Sequence, residues 1–258
     1  MNRRDFLAAA AAAPIALRSG TQRAQLALVT ADTEAAVVVV DPFAGRVVRR
    51  IATRPDPRSI ERVGETAVLA HTAIGEVSLL RGLAVQDVVR GFGEPRYTAA
   101  SPDGRYAYVT DSGRADLAVV DVLRARVVAR LHLGGWPRHL SIDAAGRTLW
   151  VALGTAAREL AVVDVARPLQ PRHVGSIRPA FPLHDVGFVP GTRHAWLTSG
   201  DRGVVGIHDA RTGRVVRMLA AGSAPQHVAF DGARAYVTSG NDGTLHVHDL
   251  SGRLLRTT

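Results

Sequence analysis

Ser101-Pro102-Asp103-Gly104-Arg105-Tyr106-Ala107-Tyr108-Val109-Thr110-Asp111, followed by Leu117-Ala118-Val119-Val120-Asp121, decides the reading of this chain. A Pro- and Gly-containing turn opens a short run rich in aromatic and β-branched residues. A second short run follows and ends on aspartate. That is the grammar of a hairpin, with strands punctuated by turn residues. The same grammar recurs on both sides of it.

One strand register reads Leu28-Val29-Thr30, Val68-Leu69-Ala70, Tyr108-Val109-Thr110, Trp150-Val151-Ala152, Trp196-Leu197-Thr198 and Tyr236-Val237-Thr238, at offsets of 40, 40, 42, 46 and 40 residues. A second ends strands on Asp41, Asp121, Asp164, Asp209 and Asp249, with Arg81 in the remaining copy. A third is a strand-opening proline: Pro57, Pro95, Pro137, Pro182 and Pro225. Registers that drift together at about 40–45 residues describe the blades of a β-propeller. Within the fourth period, strands are expected over 138–142, 148–153, 160–163 and 173–177. Past residue 24 no segment sustains a 3.6-residue period, so helices should be nearly absent.

The strand-ending aspartates precede turns such as Asp41-Pro42-Phe43-Ala44-Gly45, where a carboxylate accepts N–H groups two or so residues on. Gly240-Asn241-Asp242-Gly243 reads as a hairpin turn, because its calcium-ligand series stops there. Trp150, Trp196, Tyr108 and Tyr236 share a second-strand register and are assigned to packing between blades.

The quoted strings, with Arg234-Ala235-Tyr236-Val237-Thr238-Ser239-Gly240-Asn241, resemble the YVTN-repeat (YncE-like) β-propeller family over residues 25–258. The resemblance implies an all-β propeller of about six four-stranded blades around a channel. It implies no single activity, since the fold hosts many. Counting from Gln25 finds 23 strands, so the first blade is expected to lack its innermost strand. Water rather than residues 19–24 is expected to fill that gap, because this segment is polar and lacks alternation.

Residues 1–24 read as a signal peptide. Arg3-Arg4-Asp5-Phe6-Leu7 precedes an apolar run to Leu17 that is too short for a permanent membrane anchor. The string resembles the twin-arginine signal, which implies export in the folded state to the periplasm or beyond. Cleavage is expected between Ala13 and Gln25.

Composition narrows the function. A chain of 258 residues with 47% hydrophobic and 21% charged residues suits a packed domain and not a disordered one. No cysteine means no disulfide, thiolate metal site or iron–sulfur cluster. All 32 basic residues are arginine, which removes the P-loop and Schiff-base lysines. The formal charge of +9 is spread along the chain and forms no basic block, so no nucleic-acid partner is expected.

One constellation remains. His139, His184 and His227 each stand two residues after a blade-opening proline, where earlier blades carry Ser59 and Tyr97. One residue after the proline stand Arg58, Arg96 and Arg138. Alternation lets one of these two rows face inward. The histidines could hold a transition metal or cradle a cofactor, and the arginines would favour an anion. Inherited repeat consensus, with histidine bonded to the neighbouring blade, is the competing reading. His208 and His248 are assigned to such interblade bonding.

With Arg58, Arg96, Tyr97, Arg138, His139, His184, Asp185 and His227 as candidate ligand-binding residues, the first reading is an exported binding or scaffold protein. It would take a small molecule or a protein partner, without turnover and without a resident cofactor. The alternative is a cofactor- or metal-binding oxidoreductase, or its accessory, using the three histidines. A propeller lactonase ranks third, because Asp185 is the one acid in the set. Replacing Arg3 and Arg4 with lysine should abolish export in cell fractionation. Export equal to the parent would refute the twin-arginine reading.

Overall fold

The computed structural model describes residues 13–17 and 24–258, with side chains from residue 25 onward. Arg3, Arg4 and Leu7, on which the export reading rests, lie outside the described residues. The described residues form six four-stranded antiparallel sheets, one for each repeat. They fall in two compact units, Met1–His132 and Leu133–Thr258.

The first unit holds three sheets. They are β1 (Ala13–Leu17), β2 (Ala24–Ala31), β3 (Ala36–Asp41) and β4 (Arg46–Ala52); β5 (Pro57–Val63), β6 (Thr66–His71), β7 (Glu76–Arg81) and β8 (Ala84–Val89); and β9 (Pro95–Ala100), β10 (Tyr106–Asp111), β11 (Asp116–Asp121) and β12 (Arg126–His132). The second unit continues with β13 (Pro137–Ile142), β14 (Thr148–Leu153), β15 (Leu160–Asp164) and β16 (Arg172–Ile177). Its other sheets are β17 (Asp185–Phe188), β18 (His194–Thr198), β19 (Val204–Asp209) and β20 (Val215–Ala220), then β21 (Pro225–Asp231), β22 (Arg234–Ser239), β23 (Thr244–Asp249) and β24 (Leu254–Thr257). Strands in each sheet pair in sequence order, as a meander of tight hairpins dictates. Two three-residue 3-10 turns are the helical content of the described residues. None of those residues forms a helix long and apolar enough to cross a membrane.

The strand-ending aspartates cap their corners as expected. Asp41 Oδ1 accepts the N–H groups of Phe43 and Ala44, Asp121 Oδ1 those of Leu123 and Arg124, and Asp209 Oδ1 those of Arg211 and Thr212. Asp164 and Asp249 do the same for Ala166 and Ser251. Asp242 accepts from Thr244 and Ser223 N–H, which uses its carboxylate inside the fold.

Each sheet is too thin to bury its own faces, so its apolar side chains are covered by the next sheet. In the first unit, Val63, Val68, Val77, Leu79 and Val89 meet Ala107, Val109, Ala118 and Val120. In the second, Trp150 packs with Leu183, Val186 and Leu197, and Trp196 with Val205, Ile207 and Val237. Tyr108, Trp150 and Trp196 are fully buried, in agreement with their assignment to packing. Tyr236 is half-buried, and its hydroxyl donates to Asp231. Backbones also approach closely. A Cβ on Gly64 (φ +61°) would lie 2.8 Å from the carbonyl oxygen of Gly104, so glycine is required there on two counts.

The first blade corrects the strand count. Ala13–Leu17 pairs antiparallel with β2, from Ala13 opposite Leu28 to Leu17 opposite Ala24, and completes a fourth strand. The missing strand thus comes from the apolar run assigned to the leader, upstream of the polar segment considered for the role. Pro14 is tolerated because β1 is an edge strand of its sheet. In the full-length chain, the amides of Leu26 to Thr30 should exchange with deuterium as slowly as those of Tyr106 to Thr110. A chain beginning at Ser19 should lose that protection. Equal rates in both chains would refute the pairing.

Candidate functional site

Four of the first strands, β5, β9, β13 and β21, open on proline, which has no N–H to give to the sheet ladder. The ladder slips by one residue there: Pro137 faces Leu153 but Leu140 faces Val151, and Pro225 faces Ser239 but Val228 faces Val237. The extra residue makes a bulge, which suspends the alternation of side chains. Arg138 and His139 are consequently both buried, so the choice between an inward arginine row and an inward histidine row does not arise in this blade.

The repeat's threonine takes up N–H groups at the start of the inner strand, both where the ladder slips and in β17, where it does not. Thr238 Oγ1 accepts from His227 N–H at 3.1 Å, and Thr198 Oγ1 accepts from Asp185 N–H at 3.0 Å while donating to Gln226 C=O at 2.7 Å. Thr110 Oγ1 accepts from Tyr97 N–H in the first unit. His184 sits just before β17, because the segment after Pro182 is pinned differently. Leu183 and Ala157 exchange two backbone hydrogen bonds of 2.8 Å, and His184 N–H donates to Thr198 C=O at 2.7 Å. Gly200 (φ +74°) leaves room for this ring, since a Cβ there would come within 3.0 Å of His184 Cβ.

Together these devices bring His139, His184 and His227 to one place in the second unit. Each offers a ligand nitrogen, and the three nitrogens lie within 4.8 Å of one another. Ring centroids are 4.7 Å apart for His139 and His184, 5.2 Å for His139 and His227, and 5.5 Å for His184 and His227. Tetrahedral bonds of about 2.0–2.1 Å place ligand nitrogens about 3.3 Å apart, so small side-chain shifts would close the set on an ion.

Two rings are held by their Nδ1 atoms. His184 Nδ1 lies 3.2 Å from Thr155 C=O, and His227 Nδ1 lies 3.4 Å from Asp185 Oδ2. As N–H donors to these oxygens, both rings keep the Nε2 lone pair for a ligand. Asp185 is buried, and its carboxylate also accepts Val186 N–H at 2.7 Å and Val228 N–H at 3.2 Å.

The electrostatics favour ligand chemistry. Burial pushes His139 down to about 3, against the opposing pull of the Asp185 charge, and the neighbouring histidines and Arg138 push the same way as burial. Burial, followed by His227, also lowers His184. Burial alone would raise Asp185, but His139, His227 and the Val186 N–H hold it below the ordinary carboxylate range. Two neutral imidazoles beside an ionised carboxylate are in the protonation states that metal binding requires.

The other candidates are placed differently. In the first unit Arg58 is exposed, Arg96 pairs with Glu94 at 2.9 Å, and Tyr97 is half-buried on β9. Arg138 lies over the Trp136 ring, 4.8 Å from its centroid. His208 and His248 correct the interblade assignment. Their Nδ1 atoms meet Gly213 C=O at 3.0 Å and Gly252 C=O at 3.4 Å, each in the turn that follows its own strand, because that turn folds back over the ring. Sequence reasoning missed the Thr155 carbonyl and the room at Gly200. A longer spacing after Trp150 marked the loop that carries Thr155, but not its direction.

The sequence matches no protein-family model and no curated protein. Its structure is similar to solved ones. A chain of Kuenenia stuttgartiensis hydrazine synthase superposes with a TM-score of 0.74 at 21% identity, over 88% of this chain and 74% of that one. Dihydro-heme d1 dehydrogenase NirN, in complex with DHE, superposes with a TM-score of 0.70 at 21% identity, over 95% of this chain; the protein spans 56% of the length of that chain. At such identity the likeness speaks for the fold alone: an all-β propeller of six four-stranded blades.

Proposed function

We propose that this protein is an exported binding protein whose second unit holds one divalent transition metal on His139, His184 and His227. The observation that carries the reading is the convergence of three imidazole nitrogens within 4.8 Å. Their chemistry agrees with it. Neutral imidazole suits zinc, copper, iron and nickel, whereas an all-oxygen set would suit calcium or magnesium. Three protein nitrogens also leave a position open, as binding and catalytic sites do and closed structural sites do not. Asp185 and the Thr155 carbonyl supply the outer support that orients ligand rings.

A second reading, an oxidoreductase or its accessory, uses the same residues. The neighbours' printed names, a hydrazine synthase and a dihydro-heme d1 dehydrogenase, favour it. The absorption spectrum of the purified protein separates the two, since a bound chromophore would colour it.

Titration calorimetry with zinc should give one ion per chain. Alanine at His139, His184 or His227 should weaken binding by about a hundredfold or more, and Asp185→Asn by about 10–100-fold. Zinc binding that is absent, or indifferent to all three histidines, would refute the metal reading.

A further inference from the structure

The outer strands of the last two blades, β20 and β24, are edge strands of their sheets. Among the described residues, five of the eleven exposed large apolar side chains stand on them: Val215, Val216, Met218, Leu254 and Leu255, at 44–58% exposure. The outer position alone does not cause this. In the first unit β8 and β12 expose no large apolar side chain, whereas β4 exposes Val47 and Val48. β20 and β24 also belong to blades that touch. Arg217 donates to Ser251 C=O at 2.8 Å, and a Cβ on Gly252 would come 2.7 Å from Leu219 Cδ2.

Arginine flanks each apolar pair, in Arg214-Val215-Val216-Arg217 and Arg253-Leu254-Leu255-Arg256, and all four arginines are exposed. The acids of these two hairpins are already engaged. Asp209 caps its turn and pairs with Arg193 at 3.3 Å, and Asp249 caps its turn and pairs with Arg253 at 3.2 Å. The surface therefore combines apolar side chains in water with an excess of positive charge.

That combination selects the occupant. Charged side chains on an edge strand oppose the addition of another strand, and a second copy would bring arginine against arginine. An anionic lipid surface accepts both features. Its phosphates meet the arginines and the open N–H groups of the edges, and the boundary of its acyl chains takes the valines, leucines and methionine. The open backbone groups of an edge strand do not enter the hydrocarbon core, so the contact stays at the interface. We propose that β20 and β24 form a peripheral docking surface for an anionic phospholipid bilayer. This inference does not depend on the metal reading above.

The test sediments the full chain with vesicles of equal parts phosphatidylcholine and phosphatidylglycerol, and with vesicles of phosphatidylcholine alone. Binding to the anionic vesicles only, weakened by added salt, is expected. Arg214→Gln with Arg256→Gln should lower it about tenfold. Val216→Ser with Leu255→Ser should also lower it, because less apolar area leaves water. All four side chains are exposed, and circular dichroism checks the fold; where a pair fails to fold, Arg256→Gln and Leu255→Ser alone replace it. No binding, equal binding to both vesicles, or anionic binding unmoved by the folded variants overturns the inference. Loss with the arginine changes alone marks a surface for any polyanion and overturns it as well. A dimer without lipid, dissolved by the same changes, assigns the surface to a second copy and overturns it too.

Discussion

The proline that opens four of the inner strands, β5, β9, β13 and β21, is the constraint on which much of the candidate site depends. Proline cannot donate to the ladder, so the pairing slips by one residue where the strand begins. A slipped strand strands an N–H group, and a buried unpaired N–H costs roughly 1–3 kcal/mol. The threonine of the repeat's aromatic-Val-Thr string removes that cost. Its hydroxyl accepts the left-over N–H of His227, and in β17, which pairs without a slip, the same hydroxyl position accepts the N–H of Asp185. The repeat's most visible string is therefore both a strand and the clamp that aims the first strand's side chains.

Packing between blades supplies the rigidity behind that clamp. Trp150 and Trp196 are buried to 1% and 0% exposure, and each lies against a phenylalanine of the following inner strand, Phe188 and Phe230. These contacts tie β14 to β17 and β18 to β21, so the strand that follows His184 and the strand that carries His227 have little freedom to drift. Burial that stabilises by about 1.5–3 kcal/mol per large apolar side chain also strips water from His139, which is 3% exposed. That loss of water is what keeps His139 neutral. The same packing thus sets geometry and protonation together.

Polar groups inside such a fold need partners, and the histidines of the second unit differ in where those partners lie. His208 and His248 give one ring nitrogen to the turn closing their own hairpin. They share a register because the turn beside them is repeated. His184 and His227 also anchor one nitrogen each, but toward oxygens that lie outside their own hairpin turns, Thr155 in the preceding blade and Asp185 in the preceding inner strand. Shared register alone does not separate the two cases. The partner of the anchored nitrogen does.

The amino-acid sequence by itself determined the class of fold, the six periods and the hairpin corners, because strand alternation, turn residues and aspartate caps are local in their physics. It also singled out His139, His184 and His227, since a repeat converts position along the chain into position within a blade. It could not decide which of Arg138 and His139 turns inward, because a bulge cancels the alternation on which that inference rests. Nor could it foresee that β1 lies inside the apolar run before residue 18, where the signature of a leader and that of an edge strand coincide in composition. The reach of Thr155 and Asp185 to the rings depends on contacts between blades, between residues far apart in the chain and outside any period. Such long-range pairings exist only once the tertiary structure has formed.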